Sequence, residues 1–168
     1  LKDHVVICWY EPVARQIPKF ITLEHIAFIG LDADPHCIDK AKLQGANVVF
    51  GNADRAEVLI AAGIGRARAV VVSYPDAHSA ERVIRIIRAK RPNIPIIVRT
   101  SDDKDVSRLK AAGATEVIPE VIESGLLIAA ETLVAAGIPM HKAMDHVKAV
   151  RSARYASMRS IPAQAAKP

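Results

Sequence analysis

The sequence predicts an α/β chain: a doubly wound, parallel six-stranded sheet of order 3-2-1-4-5-6, followed by a C-terminal helical extension. Three observations predict it. Short apolar runs alternate six times with helical stretches joined by short loops. Apolar residues make up 51% of the 168 positions but aromatic ones only 4%, and small or β-branched side chains suit strands buried on both faces. Residues 1–40 run strand, turn, helix, strand, acid, and right-handed crossovers then fix the winding.

The elements follow in order. His4-Val5-Val6-Ile7-Cys8 reads as a buried strand and Val13 to Leu23 as a helix, which Pro18 should kink or shorten. Phe28 to Asp32 is the second strand. Asp34 caps a helix over Pro35–Gln44, with Pro35 in its first turn and Gly45 ending it. Strands at Val48–Phe50 and Ala69–Val72 flank a helix over Arg55–Ala62. In the helix Asp76–Lys90, residues Ala80, Val83, Ile84 and Ile87 share one face. Arg82, Arg85 and Arg88 form an outward basic row. A strand at Ile94–Val98, a helix over Lys104–Ala112 ended by Gly113, and a strand at Glu116–Ile118 complete the sheet.

Val121 to Gly137 is a helix that is apolar nearly all round. Such a helix needs burial on more than one side, which predicts a partner surface, most simply a two-fold homodimer. The alternative is that the tail of the same chain covers it. The expected division is residues 1–138 for the sheet domain and 139–168 for a basic helical connector carrying Lys142, Lys148, Arg151, Arg154 and Arg159, with disorder over 161–168.

Net charge is +5, which permits an acidic partner or an anionic membrane surface without demanding one. No aromatic residue interleaves with the basic row, so nucleic acid is not expected. No apolar run reaches the roughly 18 residues of a membrane span, and Leu1-Lys2-Asp3 shows no secretory pattern. Cys8 and Cys37 form no C-x-x-C. Cys8 reads as core, whereas Cys37 sits in a helix's first turn, where a thiolate is mildly favoured. Two cysteines make no disulfide framework, so a reducing cytoplasm fits.

Ligands of such sheets bind beyond the C-terminal ends of the strands, where strand order reverses. The candidate residues are therefore Trp9, Tyr10, Glu11, Pro12 and Val13 after the first strand, Asp32, Ala33 and Asp34 after the second, and Asn52, Ala53 and Asp54 after the third. Ser73 and Tyr74 follow the fourth strand, Arg99 the fifth and Glu120 the sixth. A dinucleotide-binding unit would place G-x-G-x-x-G in the first turn. Here that turn is Trp9-Tyr10-Glu11-Pro12-Val13-Ala14, and no glycine precedes Gly30. Trp9 should be strained if its position needs positive φ. Glu11 puts a carboxylate where a diphosphate would sit, and Pro12 removes an amide donor. Asp32, 18 residues past Ala14, stands where an acid reaches the ribose hydroxyls of NAD or adenosine. The alternative is that it caps the next helix. Arg99 leaves an apolar strand at the site edge, suited to a phosphate or to Glu120.

With these residues in view, His4 to Gly137 resembles the N-terminal lobe of RCK (regulator of potassium conductance) domains, also called KTN or TrkA-N, and in particular the cytoplasmic domain of Kef-type monovalent cation:proton antiporters. The likeness rests on His4–Cys8, Gly30-Leu31-Asp32-Ala33-Asp34-Pro35, Phe50-Gly51-Asn52-Ala53-Asp54, Ile96-Ile97-Val98-Arg99, Ala112-Gly113-Ala114 and Val117-Ile118-Pro119-Glu120. The resemblance implies a domain that binds NAD(H) or AMP, pairs as a dimer and gates an attached inner-membrane transporter from the cytoplasm. It implies that Asp32 contacts ribose, Asn52 and Ala53 flank adenine, and Arg99 lies near phosphate. The chain departs from the family at Trp9, Glu11 and Ala14, which replace glycines, and at Asn52, where aspartate is common.

Three functions compete. The first is a regulatory adenine-nucleotide module, with phosphate binding weakened, or a scaffold that has lost the ligand. The second is an NAD-dependent oxidoreductase fragment, but there is no room for a substrate segment, and none of the six histidines sits in a recognisable acid/base pair. The third is a phosphoacceptor receiver, but Cys8-Trp9 stands where its acidic pair should be.

Overall fold

The computed structural model describes the backbone of residues 1–159 and the side chains of residues 1–154. The disorder expected over 161–168 lies outside the described residues. The sheet unit contains β1 (Val5–Cys8), α1 (Ile17–Leu23), β2 (Phe28–Asp32), α2 (Pro35–Leu43), β3 (Val48–Phe50) and α3 (Ala56–Ala61). It continues through β4 (Ala69–Val72), α4 (Ala77–Lys90), β5 (Ile96–Thr100), α5 (Val106–Ala112) and β6 (Glu116–Pro119). The strand order is β3-β2-β1-β4-β5-β6, as the alternation predicts. β1 pairs in parallel with both β2 and β4, with Cys8 opposite Leu31 on one side and Val72 on the other. Val6, Ile7, Cys8, Val70 and Val72 have no exposed surface, the mark of strands covered on both faces.

Three local departures have physical causes. The first helix is shorter than Val13–Leu23: a 3-10 turn covers Ala14–Gln16, and the α-helix begins at Ile17. Pro18 falls in its first turn, where a missing amide breaks no helical bond. No α1 residue is fully buried; Ile17 and Ile21 reach the core only in part. β5 runs on to Thr100, so Arg99 lies within the strand rather than beyond it. Arg88 does not belong to an outward row. Its guanidinium donates to the carbonyls of Gly113 at 2.8 Å, Ile94 at 2.6 Å and Arg91 at 3.2 Å. It thereby ties the end of α4 to the turn before β6. Gly113 adopts φ +120, and a Cβ there would lie 2.7 Å from Arg88 Cγ.

The chain divides into two compact units, Leu1–Ile118 and a second from Pro119 onward. The second contains α6 (Glu120–Ala135) and α7 (Met140–Arg159). The sequence expectation put the division at 138/139; instead α6 groups with α7. Ala130, Ala143 and Val147 are buried between the two helices, with Leu126, Leu133, Val134 and Met144 against them. Arg151 donates to Glu123 at 2.6 Å. This packing covers one flank of α6, while Val121, Leu127 and Ile128 stay 65%, 62% and 66% exposed.

Candidate functional site

The C-terminal ends of β1 and β4 flank the point where strand order reverses, so the turn after β1 decides what the crevice can hold. Trp9 has φ +68. The position that a glycine would fill is therefore left-handed here, and a side chain there costs about 1–2 kcal/mol. Its amide donates to Leu31 O at 3.0 Å. Its ring lies against Tyr74, with centroids 5.1 Å apart at 43°. Because Cys8 and Val72 are register partners, this aromatic pair spans the two strand ends at the switch point.

Tyr74 is 7% exposed. Its hydroxyl accepts the Ala53 amide at 3.1 Å and donates to Asn52 Oδ1 at 3.0 Å. Burial pushes its pKa up, so it keeps the proton that it donates. Asn52 Oδ1 also accepts the Asp54 amide at 3.3 Å. The two residues expected to flank adenine are thus held by an aromatic side chain from the turn after β4, with β2 and β1 lying between β4 and β3 in the sheet.

The rest of the turn folds inward. Tyr10 is 3% exposed, with its ring stacked on Phe28 at 6.3 Å. It packs over Gly30, where a Cβ would approach Tyr10 Cδ2 to 2.9 Å. Glu11 is buried: one carboxylate oxygen meets Arg15 Nη1 at 3.4 Å, and the other has no hydrogen-bond partner among the described residues. A cis peptide joins Glu11 to Pro12. Pro12 and Val13 face solvent, and Ala14 is buried.

Asp32 is 3% exposed. Its Oδ2 accepts the Glu11 amide at 3.2 Å and its Oδ1 the Asp34 amide at 2.9 Å. Both oxygens hold backbone within the domain. Ala33 is exposed. Asp34 caps α2 by accepting the His36 amide at 2.9 Å, which draws its pKa down, and it accepts the Cys37 thiol at 3.4 Å. Burial, with that bond, pushes the Cys37 thiol up to about 11; the mild thiolate expected at the start of α2 is not what its surroundings favour. Burial alone lifts Cys8 to about 12.

Ser73 is buried, its amide donating to Cys8 O at 2.9 Å. Arg99 donates from Nε and Nη2 to the Ser73 carbonyl, each at 3.3 Å. Glu120 opens α6 and belongs to the second unit. The sheet therefore gathers the candidate residues of the first unit at one end. What sequence reasoning missed is how they use each other, above all the Trp9–Tyr74 pair; the available signal was an aromatic residue after each of two adjacent strands. A groove of about 370 Å³ follows β4 and β5 at this end, and another of about 870 Å³ runs between α1 and α2 to the start of β2; neither is lined by Trp9, Asp32 or Tyr74. Among the described residues no group of His, Cys, Asp and Glu is placed to hold a metal ion.

The TrkA-N domain family model matches residues 5–120. The chain belongs to the TrkA-N family. Within it, a putative K(+) efflux antiporter KefB from Alkalimonas amylolytica is 35% identical over 159 residues, covering 95% of this chain and 24% of that protein. The TrkA-N chain thus spans about a quarter of that antiporter's length. The Kef C-terminal domain of Shewanella denitrificans, in its AMP-bound form, superposes with a TM-score of 0.81 at 21% identity, over 94% of this chain and 97% of that one. The GsuK channel bound to NAD gives 0.70 at 20% identity, over 77% and 23%. These likenesses show the fold. No helix among the described residues is long and apolar enough to cross a membrane.

Proposed function

We propose that this domain is a regulatory rather than catalytic module of a membrane antiporter for potassium or another monovalent cation, acting on its cytoplasmic side. Family membership supports this reading, as does the antiporter relative. We also propose that its adenine-nucleotide site is attenuated: it takes an AMP-like ligand in preference to NAD(H), and weakly. The observation that carries this is the left-handed Trp9 with its ring on Tyr74, a bulky pair at the crevice where a diphosphate would approach the backbone. Buried Glu11 adds like charge against phosphate. A ligand at the adenosine end would have to share Asn52 and Ala53 with Tyr74, which argues for low affinity. The ligand would act by favouring one arrangement of paired domains, with the exposed flank of α6 as the homodimer surface and α7 carrying the change onward.

Calorimetry with AMP, ADP, NAD and NADH tests this. AMP should bind more tightly than NAD(H), and W9G/E11G should strengthen NAD(H) binding selectively. If the double replacement leaves NAD(H) affinity unchanged, the reading of the turn is wrong. If no nucleotide gives heat at about millimolar concentration, the domain is a scaffold without a sensor.

A further inference from the structure

The larger groove lies between α1 and α2, within the first unit. Its floor is Tyr10, Phe28 and Ala46, and its rim carries Arg15, Lys19 and Lys40. The groove exists because α1 is short and buries no residue completely, so β2 is left partly uncovered at Phe28. None of its lining residues is a carboxylate. Lys19 donates to neutral Gln16 at 3.1 Å, and Lys40 forms no ion pair among the described residues. Arg15 alone has an acid beside it, Glu11 at 3.4 Å. Large apolar side chains stand out from the same two helices. Phe20 is 70% exposed, Leu23 76% and Leu43 90%.

We infer that this face docks on an anionic lipid surface. Protruding apolar side chains beside lysines are the chemistry of interfacial binding: the apolar groups enter the acyl boundary and the cations meet the headgroups. The open groove between them has room for part of an acyl chain over the Tyr10–Phe28 rings. A second copy of this chain is disfavoured, because a two-fold contact would bring the same cations together. A peptide lying in the groove would leave Phe20 and Leu43 in water, whereas a lipid surface accounts for both the recess and the protrusions. The inference rests on the antiporter reading only in supplying a nearby membrane; it makes no use of the nucleotide site.

The test is flotation of the 168-residue chain with phosphatidylglycerol-rich vesicles and with pure phosphatidylcholine vesicles. Binding to the anionic vesicles should be about tenfold stronger or more, and should weaken as salt is raised. K19E/K40E and, separately, F20S/L43S should each reduce it by about tenfold, whereas K90E/K148E, with the same charge change at exposed positions elsewhere, should retain it. Absence of vesicle binding overturns the inference, and so does an equal loss in K90E/K148E, which would make the effect one of net charge. Capture of an acidic, leucine-containing peptide without vesicle binding assigns the groove to a protein partner instead and also overturns it. AMP titration of K19E/K40E should match the parent chain. Loss of AMP binding in the parent with vesicle binding intact would count against the nucleotide reading alone.

Discussion

Asp32 closes the turn that follows the neighbouring strand: its Oδ2 accepts the Glu11 amide at 3.2 Å while its Oδ1 accepts the Asp34 amide at 2.9 Å. A carboxylate at the end of β2 is thereby a structural clasp between two loops. Asp32→Ala leaves the buried Glu11 amide and the part-buried Asp34 amide without their acceptor, and should lower the unfolding free energy by about 2 kcal/mol. Asp32→Asn should recover only part, because its amide group offers one acceptor oxygen where the carboxylate offers two. Urea unfolding measures both. A loss below about 0.5 kcal/mol for Asp32→Ala would mean that water replaces the clasp without cost.

Trp9 combines a left-handed backbone with an aromatic contact, and two variants separate these. Trp9→Ala loses the ring and keeps the strain, whereas Trp9→Gly loses both. Trp9→Gly should therefore be the more stable of the two by about 1 kcal/mol. Thermal unfolding of the pair reads the difference directly. Equal stabilities would show that the turn relaxes once the indole is gone.

Arg88 bonds three backbone carbonyls from one guanidinium, and burial lowers its pKa without approaching neutrality. Arg88→Ala should cost about 2–3 kcal/mol. Arg88→Lys should restore little, since a single ammonium cannot reproduce the fork that spans Gly113 and Ile94. Chemical denaturation of both variants checks this, and full rescue by lysine would show that charge rather than geometry matters.

Asp76 caps α4 by accepting the Ser79 amide at 2.9 Å, and that amide holds its carboxyl below the usual carboxylate range. Asp76→Ala should cost about 1 kcal/mol at neutral pH. The folded pKa lies below the unfolded one, so the stabilisation is complete above the unfolded value, about 3.9. It is lost as pH falls through the folded value. Melting curves from neutral to strongly acidic pH should show the gap between parent and variant closing at the acid end. A gap that persists there would assign the effect to something other than the ionised cap.

Much of the architecture was readable along the chain. The strand runs at Val48–Phe50 and Ala69–Val72, the Asp34 cap before Pro35 and the Gly45 and Gly113 helix ends rest on interactions between residues a few positions apart. Periodicity and turn chemistry report such interactions without reference to the rest of the fold. Even the shortened first helix was signalled by Pro18. The candidate site was legible as a set of positions, because strand ends define it, but not as a set of contacts. Asp32 looked like a ligand-facing acid from its spacing alone. Its use as a clasp depends on Glu11, 21 residues earlier, being brought beside it by the β1–β2 pairing.

The sequence by itself determined the winding of the sheet, the family and the absence of glycine from the first turn, since all three are properties of order and spacing. Only the tertiary structure decided that Trp9 is left-handed and rests on Tyr74, that Arg88 turns back to hold carbonyls, and that α6 groups with α7. Each of those depends on which distant side chain a crossover delivers to the spot. Burial and hydrogen-bond partners are set by that delivery, not by neighbours in the chain.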